Sequence, residues 1–429
     1  MIDKQPLELN ADFQYALNAI EKENRHLFIT GRAGTGKSTL LQLFRNTTRR
    51  KTVVLAPTGI AALNVGGQTI HSFFGFPPRF LSLNDIKKRR DRRLYQNLEV
   101  LVIDEISMVR ADLLDNIDYF LRLNRENPAS FGGVQVIFFG DLFQLPPVIA
   151  SEAEQALFQL QYASPYFFSA KVMQTFKVET IELQKVYRQE NRHFLRLLEA
   201  VRLNRIEYDT LEELNSRYLP DFQAQDFYIT LCARNSRADT INRQELDRIP
   251  LPAQSYAATV TGEFNPNFYP TDAILRLKLS AQVMFVKNDP KRQFVNGTIG
   301  KVVKLEVDAI TIMVEENDQR RYVEVEPLDW EILRYRQSIT APDAIETEVV
   351  GTFRQYPLRL AWGITIHKSQ GKTFDKVIID LDSGAFEHGQ TYVALSRCRT
   401  LEGIVLKQPI RPKDILTDER IVEFYEQNF

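Results

Sequence analysis

Short apolar runs, each followed by a polar or glycine-rich stretch, set the rhythm of the first 175 residues. Leu27-Phe28-Ile29-Thr30, Val53-Val54-Leu55-Ala56, Leu98 to Ile103 and Val134 to Phe139 are short and almost continuously apolar, and helical spacing separates them, as from Ser38 to Phe44. Strands buried on both faces read this way, so the pattern predicts a parallel sheet covered by helices. The segment 76–96 breaks the rhythm with Pro77, Pro78 and the run Lys87-Lys88-Arg89-Arg90-Asp91-Arg92-Arg93. It is expected to leave the sheet as a small basic insertion.

Helix and strand return over 181–250, where Phe194, Leu197, Leu198 and Val201 fall on one core-facing helical stripe. From about 255 to 345 the pieces become short and β-rich, with Val302, Leu305, Ile310, Ile312, Val314, Tyr322, Val323 and Val325 interrupted by a polar turn at Glu315-Glu316-Asn317-Asp318. This texture predicts a small antiparallel barrel inserted into a second α/β domain, whose pattern resumes at Leu358. The expected division is a first domain over 1–175, a second over 176–254 and 346–429, and the inserted barrel over 255–345.

Composition narrows the function classes. A length of 429 residues exceeds one ordinary core and suits about two to four domains. Apolar residues at 44% and charged residues at 25% describe an ordinary globular chain. The net charge of −1 gives no global basic field, so a nucleic-acid role has to rest on local patches. Cys232 and Cys398 are the two cysteines and form no CxxC pair, which argues against a disulfide frame or a thiolate zinc site. No apolar run approaches the ~20 residues of a membrane span, and the N-terminus resembles neither a signal peptide nor a presequence. A cytoplasmic location is the expectation.

The chemistry begins at Gly31-Arg32-Ala33-Gly34-Thr35-Gly36-Lys37-Ser38, which fits the P-loop pattern between a strand and a helix. Backbone amides of Gly34, Thr35, Gly36 and on to Thr39 would wrap phosphates at a helix N-terminus. Lys37 would reach the β- and γ-phosphates of ATP, and Ser38 would ligate Mg²⁺. Leu101-Val102-Ile103 ends in Asp104 and Glu105, a Walker B arrangement. Asp104 is placed to hold Mg²⁺ and Glu105 to take a proton from the attacking water. Gln144, in Gly140-Asp141-Leu142-Phe143-Gln144-Leu145-Pro146-Pro147, could touch the γ-phosphate; a polar loop cap is the alternative.

Taken in order, these motifs resemble the superfamily-one helicases, and within them the Pif family and its RecD-type relatives, from about residue 8 to 429. Leu9-Asn10 with Gln14 is similar to the adenine-reading Q motif. Ala56-Pro57-Thr58-Gly59-Ile60-Ala61-Ala62 and Thr69-Ile70-His71-Ser72-Phe73 are similar to the motif Ia region, and Gly140 to Pro147 to motif III. Leu183 through Tyr187-Arg188-Gln189 resembles motif IV, Thr365-Ile366-His367-Lys368-Ser369-Gln370-Gly371 motif V, and Tyr392-Val393-Ala394-Leu395-Ser396-Arg397 motif VI. The resemblance implies two RecA-like P-loop domains with parallel sheets, a Src-homology-like barrel in the second, and ATP bound between the two. It places Gln14, Gly371, Arg188 and Arg397 at the nucleotide, with the two arginines as catalytic fingers alongside Lys37, Glu105 and Gln144; a salt bridge inside the second domain is the alternative for each arginine. It further implies a DNA-stimulated helicase moving 5′-to-3′ on single-stranded, forked or structured DNA, with roles in repair, recombination, replication or quadruplex maintenance. A short core-only chain suits a bacterial or phage member, monomeric and on the nucleoid when bound to DNA.

A translocase needs two grips on the strand. Pro57, Thr58 and Gly59, with His71, Ser72 and Phe73, are expected to form the first; core packing is the alternative for Phe73. Thr365, His367 and Ser369 match the family's second grip. Asn296, in the glycine turn Val295-Asn296-Gly297-Thr298, is either a DNA contact or part of a hairpin. The residues Gln189 to Arg202 are expected to give structural support. The basic run at 87–93 is either a solvated face or a DNA contact. Two rivals remain: a nucleotide-gated single-stranded DNA-binding ATPase without strand separation, and a P-loop phosphotransferase with no nucleic-acid role. Phosphate contacts alone do not exclude RNA.

Overall fold

The computed structural model describes residues 9–429 apart from 78, 150, 151, 190, 225, 317, 318, 339, 342, 343 and 383. Pro78 and the turn residues Asn317 and Asp318, named above, therefore lie outside the described residues, as do the first eight.

The first sheet contains β1 (Leu27–Gly31), β2 (Thr52–Ala56), β3 (Gln68–Thr69), β4 (Val100–Ile103), β5 (Gln135–Phe139) and β6 (Glu179–Leu183), all parallel, in the order β3-β2-β4-β5-β1-β6. The four apolar runs of the sequence are β1, β2, β4 and β5, and β1, β4 and β5 are buried along their whole length. Because the strands are parallel, the P-loop after β1, the acid pair after β4 and Gly140-Asp141 after β5 all emerge at one edge. Ligands of open α/β sheets bind outside that carboxyl edge.

Beyond it the chain runs through β7 (Ile229–Cys232), β8 (Gln254–Ala257), β9 (Thr259–Gly262), β10 (Ile274–Leu277), β11 (Gln282–Phe285), β12 (Ile299–Leu305), β13 (Ile310–Glu316), β14 (Gln319–Val325), β15 (Leu328–Gln337), β16 (Ile345–Gln355), β17 (Leu358–Leu360), β18 (Gly363–Thr365), β19 (Val377–Asp380) and β20 (Ile404–Leu406). The second parallel sheet has the order β18-β7-β19-β20. The chain is thus α/β with two RecA-like sheets and antiparallel insertions in the second half.

Three of the expected boundaries move. β6, placed in the second domain from sequence, pairs with β1 in the first sheet. Its five residues alternate in burial like many edge strands, and nothing local says which sheet they join. β16, also assigned to the second domain, pairs antiparallel with β15 and β9. The insertion is therefore two units. A five-stranded sheet, β14-β13-β12-β11-β17, shares a core with the β8–β10 pair. A three-stranded sheet, β15-β16-β9, closes over Phe264, Trp330 and Phe353. Third, the C-terminal helix Glu419–Asn428 crosses back to the first domain: Phe424 stacks on Phe168 at 4.5 Å, and the Tyr425 hydroxyl donates to Glu182 at 2.9 Å.

The three-stranded sheet also reaches the first domain. Val54 N–H donates to the Tyr335 hydroxyl at 3.2 Å, Tyr335 N–H to Gln68 Oε1 at 3.0 Å, and Asn97 Nδ2 to Gln337 Oε1 at 2.9 Å.

Candidate nucleotide cleft and nucleic-acid interface

The P-loop wraps the start of the helix Lys37–Thr47. Gly34 has φ +87°, and a side chain there would collide with Cβ of Arg188, so glycine is required both by conformation and by the arginine lying on it. Lys37 Nζ donates to the carbonyls of Gly31 at 2.6 Å and Arg32 at 3.1 Å, and burial pushes its pKa down. Ser38 and Thr39 are exposed in the first helical turn, while Thr35 is buried with its hydroxyl on the Arg32 carbonyl. Gln14 is exposed and its amide donates to the Leu9 carbonyl at 2.9 Å. Asn10 caps the helix Ala11–Glu21, which carries Gln14, and donates to the Tyr187 hydroxyl at 3.0 Å, which brings the Q-motif and motif IV segments together.

Asp104 and Glu105 leave β4 as adjacent carboxylates. Burial, then the charge of Glu105, raise Asp104 to about 7; burial likewise raises Glu105. Two such carboxylates facing a P-loop lysine are a setting that a divalent cation relieves, and Asp104 with Ser38 fits Mg²⁺, which takes few protein ligands beside phosphate and water. Among the described residues no group of three or more His, Cys, Asp or Glu could hold a metal by itself.

The second domain faces this edge with Arg188 and Arg397. Arg188 donates to the Ser396 carbonyl at 3.1 Å, and Gln189 donates to the carbonyls of Ser396 and Cys398, both at 3.0 Å. Arg397 is 1% exposed; its Nε donates to Val393 O and its Nη2 to Ser396 Oγ, both at 2.9 Å. Burial presses both guanidiniums down, and the Arg397 charge presses Arg188 further. Two desolvated cations that repel each other favour an anion between them. Ala33 N–H donates to the Tyr392 hydroxyl at 3.1 Å, joining the P-loop to motif VI directly. Gln144 is 8% exposed, gives its amide to Asp141 Oδ2 at 3.0 Å, and receives Gln370 Nε2 at 3.5 Å from motif V. Gly371 follows at a left-handed turn open to solvent.

The expected DNA grips are a different matter. Thr58 caps the helix Gly59–Val65 through Ala61 N–H at 3.2 Å. Gly59 is covered by the ring of Phe268, from the insertion's Pro266–Phe268 turn, so closely that any side chain at 59 would strike it. His71 is half-buried, and burial lowers its pKa; Ser72 Oγ accepts from Gln68 Nε2 at 2.8 Å. Phe73 is 5% exposed and packs on Phe74, Tyr95 and Tyr335. The base-stacking expectation for Phe73 is therefore corrected: its faces are filled by aromatic neighbours. In motif V, the Thr365 hydroxyl caps its own turn through Lys368 N–H at 3.3 Å, and His367 Nε2 lies 2.8 Å from Glu387 Oε2. Ser369 is 0% exposed with its hydroxyl on Ile366 O, so its side chain is no DNA contact in this arrangement. Asn296 Oδ1 receives Lys372 Nζ at 2.9 Å, which ties the hairpin to motif V.

The basic run is largely paired. Lys88 and Arg92 meet Glu126, whose carboxyl they hold down at about 2; Arg93 pairs with Asp91, and Arg89 donates to the Phe74 carbonyl while lying over the Phe120 ring.

Sequence reading missed Asp141, Tyr392 and Arg202. The first two sit inside quoted motifs but carry no local sign of their cross-domain partners. Arg202 follows the apolar stripe at Phe194, Leu197, Leu198 and Val201, and lies one helical turn after Leu198 on that same face; a charge in that position was the available signal.

These features define a P-loop protein built on two RecA-like parallel sheets. A PIF1-like helicase family model matches residues 8–211. The chain is 33% identical to ATP-dependent DNA helicase Pif1 of Bdellovibrio bacteriovorus over 98% of its own length and 92% of that protein. It is also 33% identical to ATP-dependent DNA helicase PIF1 of Xenopus laevis, of which it spans 64%. The Bacteroides sp Pif1 structure in complex with ADP-AlF4 superposes with a TM-score of 0.91 at 36% identity, covering 98% of this chain and 97% of that one; Bacteroides Pif1 bound to ssDNA gives 0.70 at 37% identity over the same shares. The chain belongs to the PIF1-like helicase family.

Proposed function

We propose that this chain is an ATP-dependent DNA helicase that moves 5′-to-3′ along single-stranded DNA and opens forked or structured duplexes. The observation that carries the reading is the cleft: Lys37, Asp104 and Glu105 on one sheet edge, with buried Arg397 and part-buried Arg188 opposite them on the other domain. ATP entering there would draw Lys37 from its carbonyls to the β- and γ-phosphates. Glu105, raised by burial, is suited to accept a proton from the attacking water. Arg188 and Arg397 would neutralise the transferring phosphoryl from the far side, so closure of the two domains depends on the γ-phosphate. Mg²⁺, held by Ser38 and Asp104, would offset phosphate charge. Direction rests on family membership, and DNA as partner on the Bacteroides relative seen bound to ssDNA.

The deciding measurement is ATPase rate with and without oligonucleotides, followed by strand displacement on 5′-tailed and 3′-tailed duplexes. Stimulation by single-stranded DNA and displacement confined to the 5′-tailed substrate are expected. Stimulation without displacement on either substrate would replace helicase by a nucleotide-gated DNA clamp; absence of stimulation would remove DNA from the reading.

A further inference from the structure

Arg202 closes the helix Arg192–Arg202 and is 1% exposed. Burying a guanidinium costs several kcal/mol unless its surroundings compensate, and here the compensation is specific. Its Nη1 donates to Glu199 Oε1 at 3.3 Å. Nη2 stands 3.7 Å from Asp141 Oδ1 and 3.6 Å from Glu182 Oε1, held by charge rather than by hydrogen bonds. The rings of Phe143 and Tyr425 hold the guanidinium at 4.2 and 5.0 Å.

Two of these partners, Asp141 and Phe143, belong to the turn that carries Gln144. Asp141 Oδ1 accepts Phe143 N–H at 3.2 Å, and Oδ2 accepts Gln144 Nε2 at 3.0 Å. With its amino group committed to Asp141, the Gln144 amide points its oxygen at Gln370 across the cleft. The same helix reaches the P-loop through Glu199, which pairs with Arg32 at 3.0 Å. A side chain needed only to fill space here would not have to be charged.

We propose that Arg202 is a positioning residue for hydrolysis: it fixes Asp141, and Asp141 fixes the orientation of the Gln144 amide toward the γ-phosphate and motif V. This rests on the reading of Gln144 as the group that meets the γ-phosphate.

The test is a double-mutant cycle on the full chain, reading DNA-stimulated kcat and the KM for ATP in wild type, Arg202→Lys, Gln144→Ala and the double variant. Arg202→Lys should lower kcat about tenfold with the KM for ATP changed less than about twofold, and Gln144→Ala should lower kcat by about ten- to a hundredfold. The double variant should be no slower than Gln144→Ala alone. If lysine at 202 costs the same factor in both backgrounds, Arg202 serves the fold only and the inference is overturned. If Gln144→Ala leaves kcat unchanged while Arg202→Lys lowers it, the reading of Gln144 has failed instead. Should Arg202→Lys not fold, Glu182→Gln weakens the same network while keeping the arginine and its aromatic clamp. A kcat loss of about two- to fivefold that disappears in the Gln144→Ala background supports the inference, and one that persists there overturns it.

Discussion

At the expected nucleotide cleft, Lys37, Arg188 and Arg397 are held by backbone carbonyls; among the residues expected to meet a strand, several are covered by side chains from elsewhere in the protein. Lys37 rests on two carbonyls and the arginines on helix ends, contacts that a phosphate can take over without rearranging an element. Gly59 lies beneath Phe268, and His367 lies against the Glu387 carboxylate. The first site is preorganised, and binding there adds charge to a shaped space. On the reading proposed above, the second would have to exchange protein contacts for DNA contacts.

The contrast can be broken most sharply at Lys37. Lys37→Ala should fold normally and bring DNA-stimulated hydrolysis to background, a loss of about 10³ or more, because the charge over the transferring phosphoryl is gone; near-normal turnover in a colorimetric phosphate assay would contradict the cleft assignment. Arg397→Lys keeps a buried cation and therefore the fold, yet loses the planar fork. It should lower kcat at saturating ATP and DNA by about 10²–10³ while single-stranded DNA still binds, and a drop below about tenfold would mean that Arg397 is no finger.

Asp104 sharpens the comparison through pH. Its carboxyl is raised from 3.8 to about 7, so the folded chain holds this proton more tightly than the unfolded one. Stability from this source is present below about pH 4 and lost as pH rises through 7. Asp104→Asn should therefore leave the nucleotide-free protein unchanged at pH 4 and stabilise it by about 1–2 kcal/mol at pH 8, the group being only half-buried. Thermal unfolding at the two pH values checks this, and an equal effect at both would assign it to something other than ionisation.

On the DNA side, Phe268→Ala should tighten single-stranded DNA binding by about three- to tenfold if the ring must leave before the strand arrives, since less apolar contact is given up. Fluorescence anisotropy with a labelled oligonucleotide reads it, and unchanged affinity would mean the ring and the strand do not compete. The smallest effect is expected from the basic run. Arg89, Arg92 and Arg93 are engaged within the protein, so replacing Arg89, Arg90, Arg92 and Arg93 by alanine should flatten the salt dependence of binding by no more than about one unit of slope. A change of three or four units would restore the run to the DNA path.

What was legible in the sequence was local. The P-loop and the acid pair each lie within a few residues of one strand end, so strand, turn and side chains announce themselves together. The partners that complete the site were not legible because they join segments far apart: Arg202 with Asp141, Tyr392 with Ala33, Phe268 with Gly59. The same limit hid the boundaries. β6 has the texture of any edge strand, and the helix Glu419–Asn428 shows an apolar face without saying which domain it covers. The Phe73 expectation failed for a related reason, since an aromatic that stacks on bases and one that packs on Tyr95 look alike in sequence.

Glu105 sits at φ 49°, ψ 46°, a left-handed conformation that costs a side-chain-bearing residue about 1–2 kcal/mol. Glycine at this position would be free of that strain and of a carboxylate pressed upward by burial. A lineage drifting toward thermal robustness alone would be drawn to Glu105→Gly, and it would arrive at a hardier chain without the carboxylate proposed above as the proton acceptor. Selection for turnover and selection for durability therefore pull this one position in opposite directions.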